Sequence, residues 1–223
     1  MHRHFDDDIG QLMEQLLRMG AEAEEAVMSS IRAFEERDVA LAERVISRDD
    51  EVDRHELEVD QHALELIARM QPTASDLRVI LTIMKAAPEI ERIADLAQDV
   101  CERVVELGAE PAQKKPDVLP LARAAQKMLH DALEALSSGD ATLAREVIAR
   151  DDLVDRLTEQ SFREHLTFML EDARNISRSI RCTFVAKYFE RIADGATNIS
   201  ELVVWLVEGN VVKHAGAGDA PAQ

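Results

Sequence analysis

Apolar residues in the first segment fall at Ile9, Leu12, Met13, Leu16, Ala23, Ala26, Val27, Ile31 and Phe34. Steps of three and four keep them on one face of a long helix ending near Arg37. Asp38 stands where the next helix needs an N-cap, and a second stripe follows through Ala42, Val45, Ile46, Val52, Ala63, Leu66, Ile67 and Met70. Pro72 stops that helix, Thr73–Asp76 has the form of a capping box, and a third helix runs through Leu77, Ile80, Leu81 and Met84 to Val105. The second half follows the same plan. One helix covers about 120–138, Gly139-Asp140 make a turn and cap, a second helix reaches about Leu170, and a last one continues to Gly209. No alternating strand pattern occurs. The predicted fold is all-α, a tandem repeat of two antiparallel three-helix bundles with six long helices. The first repeat is expected over 1–110 and the second over 117–210, with Gly108, Pro111, Pro116 and Pro120 punctuating the linker. The tail 211–223, rich in Ala and Gly, reads as disordered.

The plan recurs because the sequence recurs. LAERVISRDDEVDR (41–54) returns as LAREVIARDDLVDR (143–156), and ERIADLAQD (91–99) as ERIADGATN (190–198). The offset is 102 residues in the first pair and 99 in the second, so the first copy holds three more residues than the second between Asp53 and Glu91, most economically at the Gln-Pro turn. Internal duplication marks two copies of one structural unit.

What repeats most pointedly is acid where the stripe calls for apolar side chains. Asp49/Asp53 and Glu91/Asp95 in the first half match Asp151/Asp155 and Glu190/Asp194 in the second. Residues at i and i+4 share a helical face. Each couple is therefore a carboxylate dyad, and adjacent antiparallel helices can bring two dyads together. Clustered carboxylates repel unless protons or cations neutralise them. An all-oxygen set favours hard ions such as iron, manganese, magnesium or calcium, with Asp99 and Asn198 one turn further as supplements. Arginine offers the rival arrangement. Arg48, Arg92, Arg150 and Arg191 also recur beside the dyads and can bridge them without metal. No Glu-x-x-His pair precedes His55, His62, His130 or His165, so a ferritin-like di-iron set is absent. His62 and His165 read as surface or boundary residues.

Charge narrows the function. Against 26 basic residues stand 44 acidic ones, a net of −18, which repels nucleic acid and anionic lipid. The longest apolar stretch, Leu202–Val207, falls far short of a membrane span, and the start MHRHFDDD has no signal-peptide core. Cys101 and Cys182 sit in apolar helical contexts and read as reduced core residues of a cytoplasmic protein. There is no phosphate loop, no nucleophile elbow and no partnered nucleophilic cysteine, so an enzyme is not expected.

Several segments together resemble the phosphate-uptake regulator (PhoU) family of bacteria: RVISRDDEVD (44–53), QPTASDLR (71–78), EIERIAD (89–95), KMLHDALEAL (127–136), MLEDARNI (169–176), YFERIADGATNI (188–199) and WLVEGNVVKHAG (205–216). The resemblance spans about 9–215. It implies two repeated three-helix bundles, a cytoplasmic location with recruitment to the inner face of the membrane through partners, and a homodimer. It implies a negative regulator of the phosphate-starvation (Pho) regulon that modulates phosphate uptake. The implied partners are the ATPase subunit of a phosphate ABC transporter and the PAS region of a phosphate sensor histidine kinase. It also implies multinuclear iron or zinc clusters on an E(D)xxxD motif, which falls on Asp49, Asp53, Glu91, Asp95, Asp151, Asp155, Glu190 and Asp194. An iron-storage or redox-linked metal protein is the alternative from another class. Pro88 departs from the family and matches Lys187 in the second repeat; by kinking the third helix it is expected to leave the first-half site less secure than the second.

Overall fold

Three of the predicted helix starts have a side chain that holds them. Asp38 Oδ1 accepts from the Leu41 amide at 2.9 Å, and Asp140 Oδ1 accepts from the amides of Thr142 and Leu143 at 2.8 and 3.0 Å. Asp76 accepts from the Thr73 amide at 3.3 Å and from its hydroxyl at 2.6 Å. These bonds satisfy amides that a helix start leaves without partners. At the other ends, Gly139 and Gly209 adopt φ of +65° and +73°, closing their helices in the left-handed region open to glycine.

The protein was analysed as a computed structural model, which describes residues 2–108 and 117–209. The linker 109–116 and the predicted disordered tail 211–223 lie outside the described residues. The described residues form eight α-helices: α1 (His2–Glu36), α2 (Val39–Ile46), α3 (Asp49–Met70), α4 (Ala74–Leu107), α5 (Leu119–Ser138), α6 (Ala141–Ile148), α7 (Asp151–Glu171) and α8 (Ile176–Glu208). A 3₁₀ turn, Ala173–Asn175, leads into α8.

Six long helical arms become eight helices because the second arm of each repeat breaks once. At the break the backbone switches to i→i+3 bonding: the Arg48 amide donates to the Val45 carbonyl at 3.1 Å, and the Arg150 amide to Val147 at 2.9 Å. The tightened turn restarts the helix at Asp49 and at Asp151. Both acids thereby enter a first helical turn, where free amides and the helix dipole favour negative charge.

In the first bundle α1 packs against α4 and α3; in the second α5 packs against α8, with α6 and α7 alongside. The bundles join along α4 and α8, which run antiparallel. Asn198 donates to Glu89 near one end of the seam, and Arg181 donates to Glu106 near the other. Gly195 permits the closest approach, since a Cβ there would stand 2.9 Å from the Ile93 side chain. One continuous set of buried apolar residues runs through both bundles, from Leu12 and Phe34 to Phe189 and Val204. Pro88 lies inside α4 at an exposed position, where it cannot donate to the Met84 carbonyl, and the helix nevertheless continues as one element to Leu107. No helix among the described residues is long and apolar enough to cross a membrane.

Candidate metal centre

The first turns of α3 and the middle of α4 bring three acids to one point. Asp53, Glu91 and Asp95 each offer an oxygen, and these oxygens lie within 4.8 Å of one another. Asp53 Oδ1 is shielded from solvent and has no hydrogen-bond donor. Burial pushes the Glu91 carboxyl up to about 7, helped by the charges of Asp95, Glu56 and Asp53. The Glu56 carboxyl is also raised, first by burial and then by Asp60, Asp53 and Asp95. Glu56 is a fourth member of the cluster that the duplication hides: its spacing, three residues past Asp53, was visible, but its counterpart in the second repeat is Thr158. Asp49 opens α3, while its side chain lies outside the described residues.

The second repeat holds its acids differently. Asp151 is buried and accepts from the Thr197 hydroxyl at 3.2 Å. Glu190 forms an ion pair with Lys187. The Asp194 carboxyl is pushed up to about 6, by burial first and then by Glu190 and Asp151, with Lys187 opposing and Asp155 adding. Its tip still reaches solvent, so the surrounding protein desolvates it only in part. The four acids are electrostatic neighbours, yet no three among the described residues converge as Asp53, Glu91 and Asp95 do.

This reverses the expected order of the two sites. Pro88 occupies the position of Lys187, and it leaves Glu91 and Asp95 converging on Asp53. Its physical effect is to remove a resident cation. The first cluster has no lysine of its own, whereas the second carries one.

Among the described residues, the ion pairs of Arg150 and Arg48 lead away from the dyads. Arg150 turns to Asp131, which Lys127 also contacts at 2.9 Å, and Arg48 reaches Glu25 at 3.8 Å. Arg92 and Arg191 line a cavity of about 120 Å³ between α4 and α8, beside Glu89 and Asp194. Asn198 is committed to Glu89. In a second group of possible ligands, His130, Asp131 and Glu134, the Asp131 carboxylate is already paired with Lys127 and Arg150. His62 sits at a boundary, 2.8 Å from Gln15, but His165 is 1% exposed and belongs to the interior. Its inward face was not legible because the stripe around it is polar. Both cysteines are buried and neither is in a disulfide, and burial pushes the Cys101 thiol up to about 12.

Close-set carboxylates, one oxygen of which lacks any donor, are a donor set of the kind that hard cations take. The family model described as PhoU domain matches the chain twice, over residues 16–104 and 118–203. A phosphate-specific transport system accessory protein PhoU homolog from Pseudomonas aeruginosa is 37% identical over 216 residues, 96% of this chain and 89% of that protein. The phosphate-specific transport system accessory protein PhoU of Escherichia coli is 34% identical over 218 residues, covering 96% and 90%. The crystal structure of PhoU from Pseudomonas aeruginosa superposes with a TM-score of 0.88 at 36% identity, over 92% of this chain and 100% of that one.

Proposed function

The chain belongs to the PhoU family, and on that footing we propose that it is an accessory protein of a phosphate-specific transport system. In this reading it is a non-enzymatic, cytoplasmic adaptor between the ATPase subunit of a phosphate ABC transporter and the PAS region of a sensor histidine kinase. It keeps the phosphate-starvation regulon off when phosphate is plentiful. The observation that supports the reading best is the end-to-end match to relatives that bear the accessory-protein name, at 34–37% identity over 96% of the chain. A helical scaffold suits this role because binding one partner selects the conformation offered to the other.

The carboxylate clusters are proposed as cation sites within that scaffold, taking iron first and manganese, zinc or magnesium by the same oxygen chemistry. Asp53, Glu91 and Asp95, with Asp49 from the same turn, would hold the first ion, and Asp151, Asp155, Glu190 and Asp194 the second. A bound cation supplies positive charge that offsets the mutual repulsion of acids on α3 and α4. The shielded, donor-free Asp53 oxygen supports this assignment. Storage of iron as the primary role lacks a comparable observation.

The test is an alkaline phosphatase reporter in cells deleted for this gene and grown in phosphate-rich medium. High activity, returned to low by the intact gene, is expected. Low activity in the deletion strain would remove the regulatory role for this copy.

A further inference from the structure

The lower half of the α7–α8 hairpin is patterned inside out. Its outer surface carries Phe162, Leu166 and Leu170 on α7 and Ile176, Ile180 and Phe184 on α8, each set at i, i+4 and i+8. That spacing places each set on one helical face. Because the helices are antiparallel, Phe162 is level with Phe184, Leu166 with Ile180, and Leu170 with Ile176, a ladder of three apolar rungs. Leu170 is 80% exposed and the other five are 42–53% exposed. Together they present on the order of 600 Å² of apolar surface, the upper end of what an ordinary monomer shows in one patch.

Beneath this surface the side chains are polar. Ser161, His165 and Ser179 are buried where the first repeat buries Val59, Ala63 and Ile80. The first repeat also breaks the ladder: Asp60 and Lys85 stand at the first rung and Ala68 at the third. Duplication thus supplied a hairpin with ordinary patterning, and only the second copy exchanged apolar for polar residues on both sides.

The upper rung opens into a groove of about 460 Å³ lined by Phe162, Phe184, Thr158 and Thr183, and rimmed by Asp155, Glu159 and Glu190 with Lys187. Acid at the rim and a net charge of −18 set the sign of a complementary surface. The same charge disfavours an anionic membrane or a second copy of this chain. Apolar anchors at helical spacing beside a straight two-helix groove match the recognition of an amphipathic helix.

We propose that the outer face of α7 and α8 is a docking site for an amphipathic helix of another protein. That helix presents apolar residues to the three rungs and Lys or Arg to Asp155, Glu159 and Glu190. This assignment needs no premise about phosphate; it shares Asp155 and Glu190 with the second proposed cation site, where a docked Lys or Arg would neutralise them in the ion's place.

The first experiment places benzoylphenylalanine at position 166 of the full chain in cells of the source organism, illuminates them, and sequences the crosslinked peptides by mass spectrometry. The expected product is a segment of a different protein with apolar residues at steps of three and four and basic residues flanking them. A synthetic peptide of that segment should then bind the purified chain, and the double variant Leu166→Glu/Ile180→Glu should weaken binding at least tenfold with unchanged helical circular dichroism and melting temperature. The variant Glu159→Gln should lower the salt dependence of binding. Crosslinks to a second copy, to lipid, to a non-basic segment or to nothing above the unilluminated control would overturn the proposal. So would equal binding of the peptide to the double variant. A flat phosphate reporter would leave the crosslink result untouched, so the two readings fail separately.

Discussion

Two positions separate the two carboxylate clusters: Thr158 stands where the first has Glu56, and Lys187 where it has Pro88. Lys187 sits one turn before Glu190 and pairs with it, while Pro88 sits one turn before Glu91 and offers no charge. A cluster with its own cation has less need of a bound one. Lys187→Ala should therefore raise manganese or iron(II) affinity in the second repeat and add a binding event to the calorimetric titration; an unchanged isotherm would contradict this account. Protons compete for the same oxygens. Glu91 rises from 4.5 to about 7 and Asp194 from 3.8 to about 6, chiefly through burial. Raised acids hold protons in the folded state that the unfolded chain has released, so folded stability falls as pH rises from about 4.5 to 7 and then levels. Asp131 shifts the other way. Burial works to raise it, but hydrogen bonds from Arg150 and Lys127 hold it below its usual value, so its contribution is lost only at lower pH. In chelator-treated protein the loss between pH 5 and 7.5 should be about 1–2 kcal/mol after solvent screening. Urea unfolding measures it, and Glu91→Gln should flatten much of the slope. The repeated dyads are legible in the sequence; Glu56 stands on the same stripe, but recurrence does not single it out because Thr158 replaces it in the second copy.

Helix ends were equally legible where a side chain announced them, as at Asp38, Thr73 and Asp140. The breaks before Asp49 and Asp151 were not. Ser47-Arg48 and Ala149-Arg150 include neither Gly nor Pro, and the apolar steps continue across them with no lost phase. Tertiary contacts fix the break instead, and in the second repeat Asp131 is the contact that can be tested. Its nearly buried carboxylate on α5 holds Arg150 at the start of α7 and Lys127 one turn away. Asp131→Ala should lower stability by about 2 kcal/mol, below the range for fully buried pairs because Lys127 and Arg150 keep water contact. Chemical denaturation gives the number, and a change below about 0.5 kcal/mol would assign the break to packing alone. At the α4–α8 seam, Gly195→Val forces the Ile93 side chain to move from a position 2.9 Å from the new Cβ. A loss of about 1–3 kcal/mol is expected from such overpacking.

For the whole molecule, the duplicated sequence suggests two independent bundles, but the seam joins them into one core. Buried residues occupy much of α4, including Ile83, Ala87, Ile90, Ala94 and Cys101, and much of α8, including Val185, Phe189, Ile192, Ala196 and Val203. Each helix meets its own bundle on one side and the opposite helix on the other, so neither bundle can open without baring the partner's core. That coupling favours one cooperative unfolding step for both repeats. Calorimetry should show a single transition whose van't Hoff and calorimetric enthalpies agree, whereas two resolved transitions would show bundles that fold alone. The fragment 1–110 should consequently expose the α4 face and aggregate when expressed by itself. Co-expressed with 117–223, it should be recovered as a one-to-one helical complex, because the lost connection is only a short linker while the seam stays intact. Recovery of a monomeric, cooperatively melting 1–110 would mean that the seam contributes little, and that the two clusters sense their surroundings independently.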